Sequence, residues 1–251
     1  MRLQDKVVIV TGGGVGIGKA YSQRLAAEGA SVAIADIAAQ NSEALAASMR
    51  SEGGQALAIP TDVSDESSVA AMVERVLERF GRVDVLVNNA GLFAAVRHSP
   101  VTGITVDEWD RVMAVNVRGI FLCCRAVVPP MQAQGAGKII NISSSTVMNG
   151  SPGFLHYVTS KGAVIALTRA LAQEVGQWGI TVNALAPGLT ASDTALAALP
   201  RERFESRVGR RALKRVQVPE DLTGTLVYLA SGDSDFLTGQ TILVDGGGNM
   251  L

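Results

Sequence analysis

The N-terminal run KVVIVTGGGVGIGKA, residues 6–20, constrains the fold more than any other stretch. Residues 6–11 are a short β-branched run, the pattern of a strand buried on both faces. Gly12, Gly13, Gly14, Gly16 and Gly18 follow at once, interrupted only by Val15 and Ile17, and a helical pattern over 19–28 is closed by Gly29. In this order the three pieces form a phosphate cradle. The glycines let the backbone approach a ligand, and the helix N-terminus offers free N–H groups and the positive end of its dipole.

The alternation continues along the chain. Residues 31–35 (SVAIA) predict a second strand ending at Asp36, and 41–52 a helix stopped by Gly53 and Gly54. Residues 55–60 predict a third strand leading into Thr61-Asp62-Val63, and 66–80 a helix capped by Ser64 or Asp65. Residues 83–87 predict a fourth strand running into Asn88-Asn89-Ala90-Gly91. A long helix starts at a cap on Thr105 or Asp107 and reaches Gln134, with Asn116 in its middle and Pro129 and Pro130 expected to kink or thin its last turn. Strands follow at 138–142, 181–186 and 241–244. Unbroken alternation predicts an α/β fold, a single Rossmann-type doubly wound parallel sheet of about seven strands flanked by helices, covering 1–251 as one domain. Ligands bind such sheets at the carboxyl ends of the strands. Segment 189–214 is too long for a simple connection, holds Arg201, Arg203, Arg207, Arg210 and Arg211, and reads as a loop that closes over the ligand as a lid.

Asp36 lies roughly 20 residues past the glycine turn, where a carboxylate accepts hydrogen bonds from an adenosine ribose. It would repel a 2′-phosphate, and no Arg or Lys sits in 13–15 or directly after Asp36 to receive one. NAD is therefore predicted over NADP. Asp62 is a candidate for the adenine amino group.

Tyr157 and Lys161 are four apart, one turn on one helix face. A phenol of pKa about 10 is a poor base at neutral pH. A cation about 4 Å away supplies ~4 kcal/mol at an effective dielectric of 20, about the ~3 pKa units needed to bring it near 7. Ser143, Ser144 and Ser145 precede the pair and all lie within reach of a substrate oxygen.

Taken together, Thr11-Gly12-x-x-x-Gly16-x-Gly18, Asn88-Asn89-Ala90-Gly91, Asn116, Ser144, Tyr157-x-x-x-Lys161 and Pro187-Gly188 resemble the short-chain dehydrogenase/reductase family over nearly the whole chain. The resemblance implies hydride transfer between nicotinamide and a carbonyl or alcohol carbon. It implies that Ser144 holds the substrate oxygen, Tyr157 exchanges its proton, Lys161 lowers the Tyr pKa and holds the nicotinamide ribose, and Asn116 anchors a water relay from Lys161. It implies cofactor contacts from Gly12, Gly16, Ile17, Gly18, Asp36, Asp62, Val63, Asn89, Ala90, Gly91, Tyr157, Lys161, Pro187, Gly188, Thr190 and Ser192, and a homotetramer built on the two long helices and the last strand. Ser192 stands where family members commonly carry Thr, so the nicotinamide amide contact falls to it or to Thr190. Residues 156–161 and 216–221 are more loosely similar to bacterial NAD-dependent secondary-alcohol dehydrogenases of the 1-phenylethanol type.

The resulting expectation is an NAD(H)-dependent oxidoreductase interconverting a secondary alcohol and a ketone. A 3-oxoacyl thioester reductase is the alternative within the fold. A non-catalytic dinucleotide-binding sensor or scaffold is the alternative outside catalysis, and it has no need of Ser144, Tyr157, Lys161 and Asn116 together. Phe93, Val147, Met148, Phe154, Leu155 and Leu196 predict an apolar or aromatic substrate, with His98 and His156 as candidate polar contacts. A net charge of −1 with no long charged run points away from nucleic acid and anionic membranes. Adjacent Cys123 and Cys124 make a poor metal or disulfide pair, so no metal is expected. Low cysteine use, a short N-terminal apolar run and no apolar stretch of about 18 residues lead to an expectation of a cytoplasmic protein with no membrane span.

Overall fold

The computed structural model describes residues 1–250; Leu251, the end of the expected 1–251 unit, lies outside the described residues. Seven strands form one sheet: β1 (Val7–Thr11), β2 (Ser31–Asp36), β3 (Gln55–Pro60), β4 (Val85–Asn88), β5 (Gly137–Ile142), β6 (Ile180–Pro187) and β7 (Thr241–Val244). All pairings are parallel, in the order β3-β2-β1-β4-β5-β6-β7. The helices are α1 (Gly16–Ala27), α2 (Ala39–Ser51), α3 (Glu66–Phe80), α4 (Val106–Met113), α5 (Gly119–Gln134), α6 (Thr146–Asn149), α7 (Leu155–Val175), α8 (Asp193–Ala198), α9 (Arg201–Val208) and α10 (Glu220–Ala230).

Side-chain alternation along each strand splits the core into two layers. Ile9, Leu86, Ile139 and Val182 face α3, α5 and α7. Val8, Val10, Val87, Ile140 and Leu185 face α1, α2 and α10. Both faces are covered, so the strands read as continuous apolar runs. The chain order reverses between β1 and β4, and that switch point opens a crevice at the strands' carboxyl ends.

Several local expectations resolve. Asp65 rather than Ser64 caps α3, accepting from the Ser67 N–H. Thr105 rather than Asp107 caps α4, in a reciprocal box with Glu108. A π-turn over Ala114–Arg118 joins α4 to α5, and Asn116 sits inside it. Helix α5 runs through Pro129 and Pro130 to Gln134.

Two expectations need correction, and one helix goes unpredicted. First, 189–214 is not a loop: it carries α8, started by the Ser192 hydroxyl accepting from Ala195 N–H at 3.3 Å, and α9, which follows Pro200. Second, α10 was not foreseen, although Leu222, Leu226 and Leu229 repeat at helical spacing; they fill the core beside α1. Third, the continuous helix Val106–Gln134 spans 29 residues and is apolar enough, by length and composition, to cross a membrane. Its Ile120, Cys123, Val127 and Met131 are instead buried on the sheet. The two cysteines are free and buried, and burial pushes the Cys124 thiol up to about 12, so neither is a thiolate.

Candidate active site

A cavity of about 700 Å³ opens along the carboxyl edge of the sheet. Every residue predicted to touch the cofactor lines it, and so do Ser144, Tyr157 and Lys161. Asn116 does not; it stands behind the wall.

The glycine turn is shaped by close backbone approach. Gly12 adopts φ +61°, and a Cβ there would stand 2.8 Å from the Ala90 Cα. A Cβ on Gly18 would stand 1.9 Å from the Gly12 carbonyl oxygen, so only glycine permits α1 to start this close to β1. Helix α1 has no side-chain cap and no acidic residue in its first turn, which leaves its N–H groups available to a pyrophosphate. Asp36, 6% exposed, accepts from Gly14 N–H through Oδ2 and from Ala38 N–H through Oδ1, both at 2.9 Å. It thus shapes the glycine turn as well as facing the cavity. Asp62 lines the cavity and accepts from the Ser64 N–H and hydroxyl through Oδ1, a local turn in which Oδ2 has no protein partner among the described residues.

The Asn88–Gly91 segment divides its labour. The Asn88 amide points into the core and donates to Asn141 Oδ1 at 2.9 Å. The Asn89 amide donates to the carbonyls of Thr11 and Gly12 at 3.0 and 2.9 Å, tying β4 to the glycine turn.

Helix α7 presents Tyr157 and Lys161, as the spacing predicts. Tyr157 is 6% exposed and packs against Phe93 and Phe154, ring centroids 5.4 and 5.3 Å away. Lys161 Nζ lies 5.8 Å from the Tyr157 ring centre and donates to the Ile142 carbonyl at 2.8 Å. The three serines separate. Ser143 donates to the Lys161 carbonyl, so it is committed to holding β5 against α7. Ser145 is anchored through its backbone N–H to the Pro187 carbonyl. Ser144 accepts from the Thr146 hydroxyl and bears on the Tyr157 phenol.

The pKa expected for Tyr157 is corrected here. Burial dominates and pushes the phenol up to about 12, partly opposed by the Ser144 hydroxyl. Burial also pushes the Lys161 ammonium down to about 8. Desolvation of the phenol, which the one-turn spacing of Tyr157 and Lys161 does not reveal, sets the direction of the shift. Without a bound cofactor, burial therefore favours the protonated form of Tyr157.

Asn116 is fully buried, and its side chain is a strut. Oδ1 accepts from Leu92 N–H at 2.7 Å; Nδ2 donates to the Leu92 carbonyl at 3.2 Å and to Ser160 Oγ at 3.0 Å. Ser160, which the sequence reading missed, donates a hydrogen bond to the Tyr157 carbonyl at 2.7 Å. Asn116 therefore couples the Leu92 loop to the helix turn bearing Tyr157. Both Asn116 Oδ1 and Lys161 Nζ adjoin Gly91, within 3.4 Å of a Cβ placed there. A π-turn leaves backbone carbonyls out of the regular ladder, which suits the predicted water relay.

Of the predicted substrate contacts, Phe93, Phe154 and His98 line the cavity; Val147, Met148, Leu155, Leu196 and His156 do not. Leu155 and Leu196 turn to solvent and His156 into the interior, because helices α7 and α8 rotate successive residues away from one face. In their place the cavity wall includes Arg203, Arg207 and Arg210 from the α9 region.

A profile described as Enoyl-(Acyl carrier protein) reductase matches residues 13–249. The short-chain reductase protein NovJ of Streptomyces niveus is 41% identical over 250 residues, 97% of this chain and 94% of the relative. The chain belongs to the short-chain dehydrogenase/reductase family. It is an NAD(H)-dependent oxidoreductase of that family. A 3-oxoacyl-acyl-carrier-protein reductase of Thermotoga maritima is 37% identical over 247 residues, 98% of this chain and 99% of its own. Among solved structures, levodione reductase superposes with a TM-score of 0.93 at 34% identity, covering 98% of both chains.

Proposed function

We propose that this short-chain dehydrogenase/reductase interconverts a secondary alcohol and a ketone, with Ser144, Tyr157, Lys161 and Asn116 as its working set. The observation that carries this reading is that the Ser144 hydroxyl, the buried Tyr157 phenol and the Lys161 ammonium share a cavity wall with the glycine turn and Asp36. The crowding of Gly12 and Gly18 and the open start of α1 fit a dinucleotide. NAD(H), when bound, supplies or accepts the hydride.

The protein's own residues handle the proton and the oxygen. In reduction, Ser144 donates a hydrogen bond to the carbonyl oxygen, and Tyr157 delivers its proton to that oxygen as charge develops there. In oxidation the phenolate takes the alcohol proton. Lys161 steadies the phenolate, and Asn116 holds the turn of α7 that presents both. The aromatic wall of Phe93 and Phe154 seats the substrate's apolar part. Segment 189–214, whose α8 and α9 contribute to the cavity lining, serves as its lid in this reading. Four copies meeting on the long helices and β7 complete the proposal, with Phe121 left 48% exposed in one copy; a monomeric mass in analytical ultracentrifugation removes that part.

The phenol's position near 12 sets a pH dependence. Below it the phenolate is the minor form and grows about tenfold per pH unit. Alcohol oxidation is therefore expected to rise with pH, steeply from about 7 to 8 and more gently from there to 10, where Lys161 loses the charge that steadies the phenolate, while ketone reduction, which uses the protonated phenol, does not rise. Initial rates in both directions across that range are the check; a flat oxidation profile sinks the assignment of Tyr157 as the base.

Cofactor choice rests on Asp36. Asp36→Asn removes the charge and keeps one acceptor oxygen, enough for the Gly14 N–H of the glycine turn at the expense of the bond from Ala38 N–H. The ratio of kcat/KM for NADP⁺ over NAD⁺ is expected to rise at least about tenfold, the loss of part of a repulsion worth a few kcal/mol at contact distance. An unchanged ratio means that Asp36 does not select the cofactor.

Reduction of a 3-oxoacyl thioester is the second reading, favoured by the profile description and by the relative from Thermotoga maritima. It uses the same proton chemistry. Turnover of an acetoacetyl thioester in preference to simple ketones, measured by NADH consumption, selects it.

A further inference from the structure

Four arginines of the lid line the cavity; Arg211 is buried and donates to the Leu189 and Arg215 carbonyls, which leaves three, Arg203, Arg207 and Arg210, that no part of the redox chemistry uses. Arg203 and Arg207 are half-buried and Arg210 is exposed, all on or just after α9. On the same helix Arg201 pairs with Glu205 and does not line the cavity. Among the described residues, Arg203, Arg207 and Arg210 have no carboxylate partner. They oppose one another: burial and the charges of Arg210 and Arg203 both disfavour the Arg207 cation. Charges gathered without a counter-ion on a half-closed wall cost stability unless a ligand supplies the opposite sign.

Their place relative to Tyr157 can be read from the contacts. Phe154 lies 5.3 Å from the Tyr157 ring, and the His98 ring stacks on Phe154 at 4.1 Å. Arg203 Nη2 is 2.8 Å from His98 Nε2. A guanidinium only donates, so Nε2 is the bare nitrogen and the proton sits on Nδ1. His98 is thus a neutral post that aims Arg203, two ring spacings from the reacting phenol. Asp36 and Asp62 stand instead beside the glycine turn and β3, so the arginines adjoin the substrate's end of the cavity and not the adenosine's.

We infer that the substrate is an anion: its carbonyl meets Ser144 and Tyr157, its carbon skeleton lies along Phe93 and Phe154, and a carboxylate or phosphate at its far end is received by Arg203, Arg207 and Arg210. This rests on the ketone–alcohol reading above and adds the chemical class of the substrate. Two sources supply such an anion: a short keto acid, or the phosphate of a phosphopantetheine thioester.

The test uses binding, so that it does not depend on turnover. Enzyme loaded with NAD⁺, which cannot reduce a ketone, is titrated by calorimetry with three pairs: acetylbenzoate and its methyl ester, levulinate and its methyl ester, and acetoacetyl phosphopantetheine and acetoacetyl pantetheine. The anion of at least one pair is expected to bind tenfold or more tighter than its neutral partner, and added salt is expected to shrink the difference. The double variant Arg203→Met/Arg207→Met is expected to bring that ratio close to one, while Arg201→Met, on the same helix but paired with Glu205, keeps it. A preference confined to the keto acids assigns a short substrate, and one confined to the thioesters assigns the phosphate. Equal binding in all three pairs, or a preference that the double variant leaves intact, overturns the inference. Failure of the underlying reading shows separately, as no NADH oxidation with any of these ketones whatever the binding result.

Discussion

Tyr157→Phe is expected to lower kcat for ketone reduction by about 10²–10⁴-fold and leave the fold and NADH affinity nearly unchanged. The substitution deletes one oxygen and keeps the ring that packs between Phe93 and Phe154. What is lost is the proton donor. Ser144 remains to polarise the carbonyl but, with an alcohol's high pKa, cannot replace a phenol as acid. Steady-state kinetics together with a fluorescence titration of NADH separate chemistry from binding. Activity within about tenfold of the parent enzyme would remove Tyr157 from the proton transfer. A comparison with Lys161→Met extends the test. Without the ammonium beside it, the phenolate is harder to form, so the alkaline rise of alcohol oxidation is expected to move to higher pH. An oxidation profile in Lys161→Met that overlays the parent would show that Lys161 does not act on the phenol.

The second large effect is structural. Gly18→Ala puts a methyl group 1.9 Å from the Gly12 carbonyl oxygen, and the opposing atom is backbone, which no rotamer change can move aside. Relief requires α1 to lift from the end of β1, against the packing of Tyr21 and Leu25, both fully buried. The expected cost is about 3 kcal/mol or more, or a fall in Tm of roughly 6–12 °C for a chain of this size. The same displacement spoils the cradle, so NADH binding is expected to weaken in parallel. Thermal denaturation with and without NADH measures both; a parental Tm and NADH affinity would show that the close approach of Gly18 to Gly12 carries no such load.

Much of this molecule is legible in its one-dimensional pattern. The ranges of β3, α3 and β7 follow from apolar runs and helical spacing bounded by glycine or a capping side chain, signals that depend only on neighbours in the chain. Asp36 and the glycine turn are legible for the same reason: strand, turn and helix are contiguous. Tyr157 and Lys161 are legible because four residues make one helical turn. Segment 189–214 is where the reading failed. Its arginines and alanines carry weak periodicity over helices of six and eight residues, too short for a pattern to declare itself.

Sequence alone therefore determined the sheet, its parallel connections and the family of chemistry, because each depends on local order and on which residues follow one another. Only the tertiary structure decided which serine meets the phenol, that Asn116 and Ser160 brace the Leu92 loop to α7, and that burial favours the protonated form of Tyr157. It alone turned Arg203 toward His98 and Arg201 away. These outcomes depend on burial and on atoms distant in the chain: desolvation raised the phenol's pKa beyond what the Ser144 hydroxyl offsets, and side-chain direction was set by packing against elements many residues away.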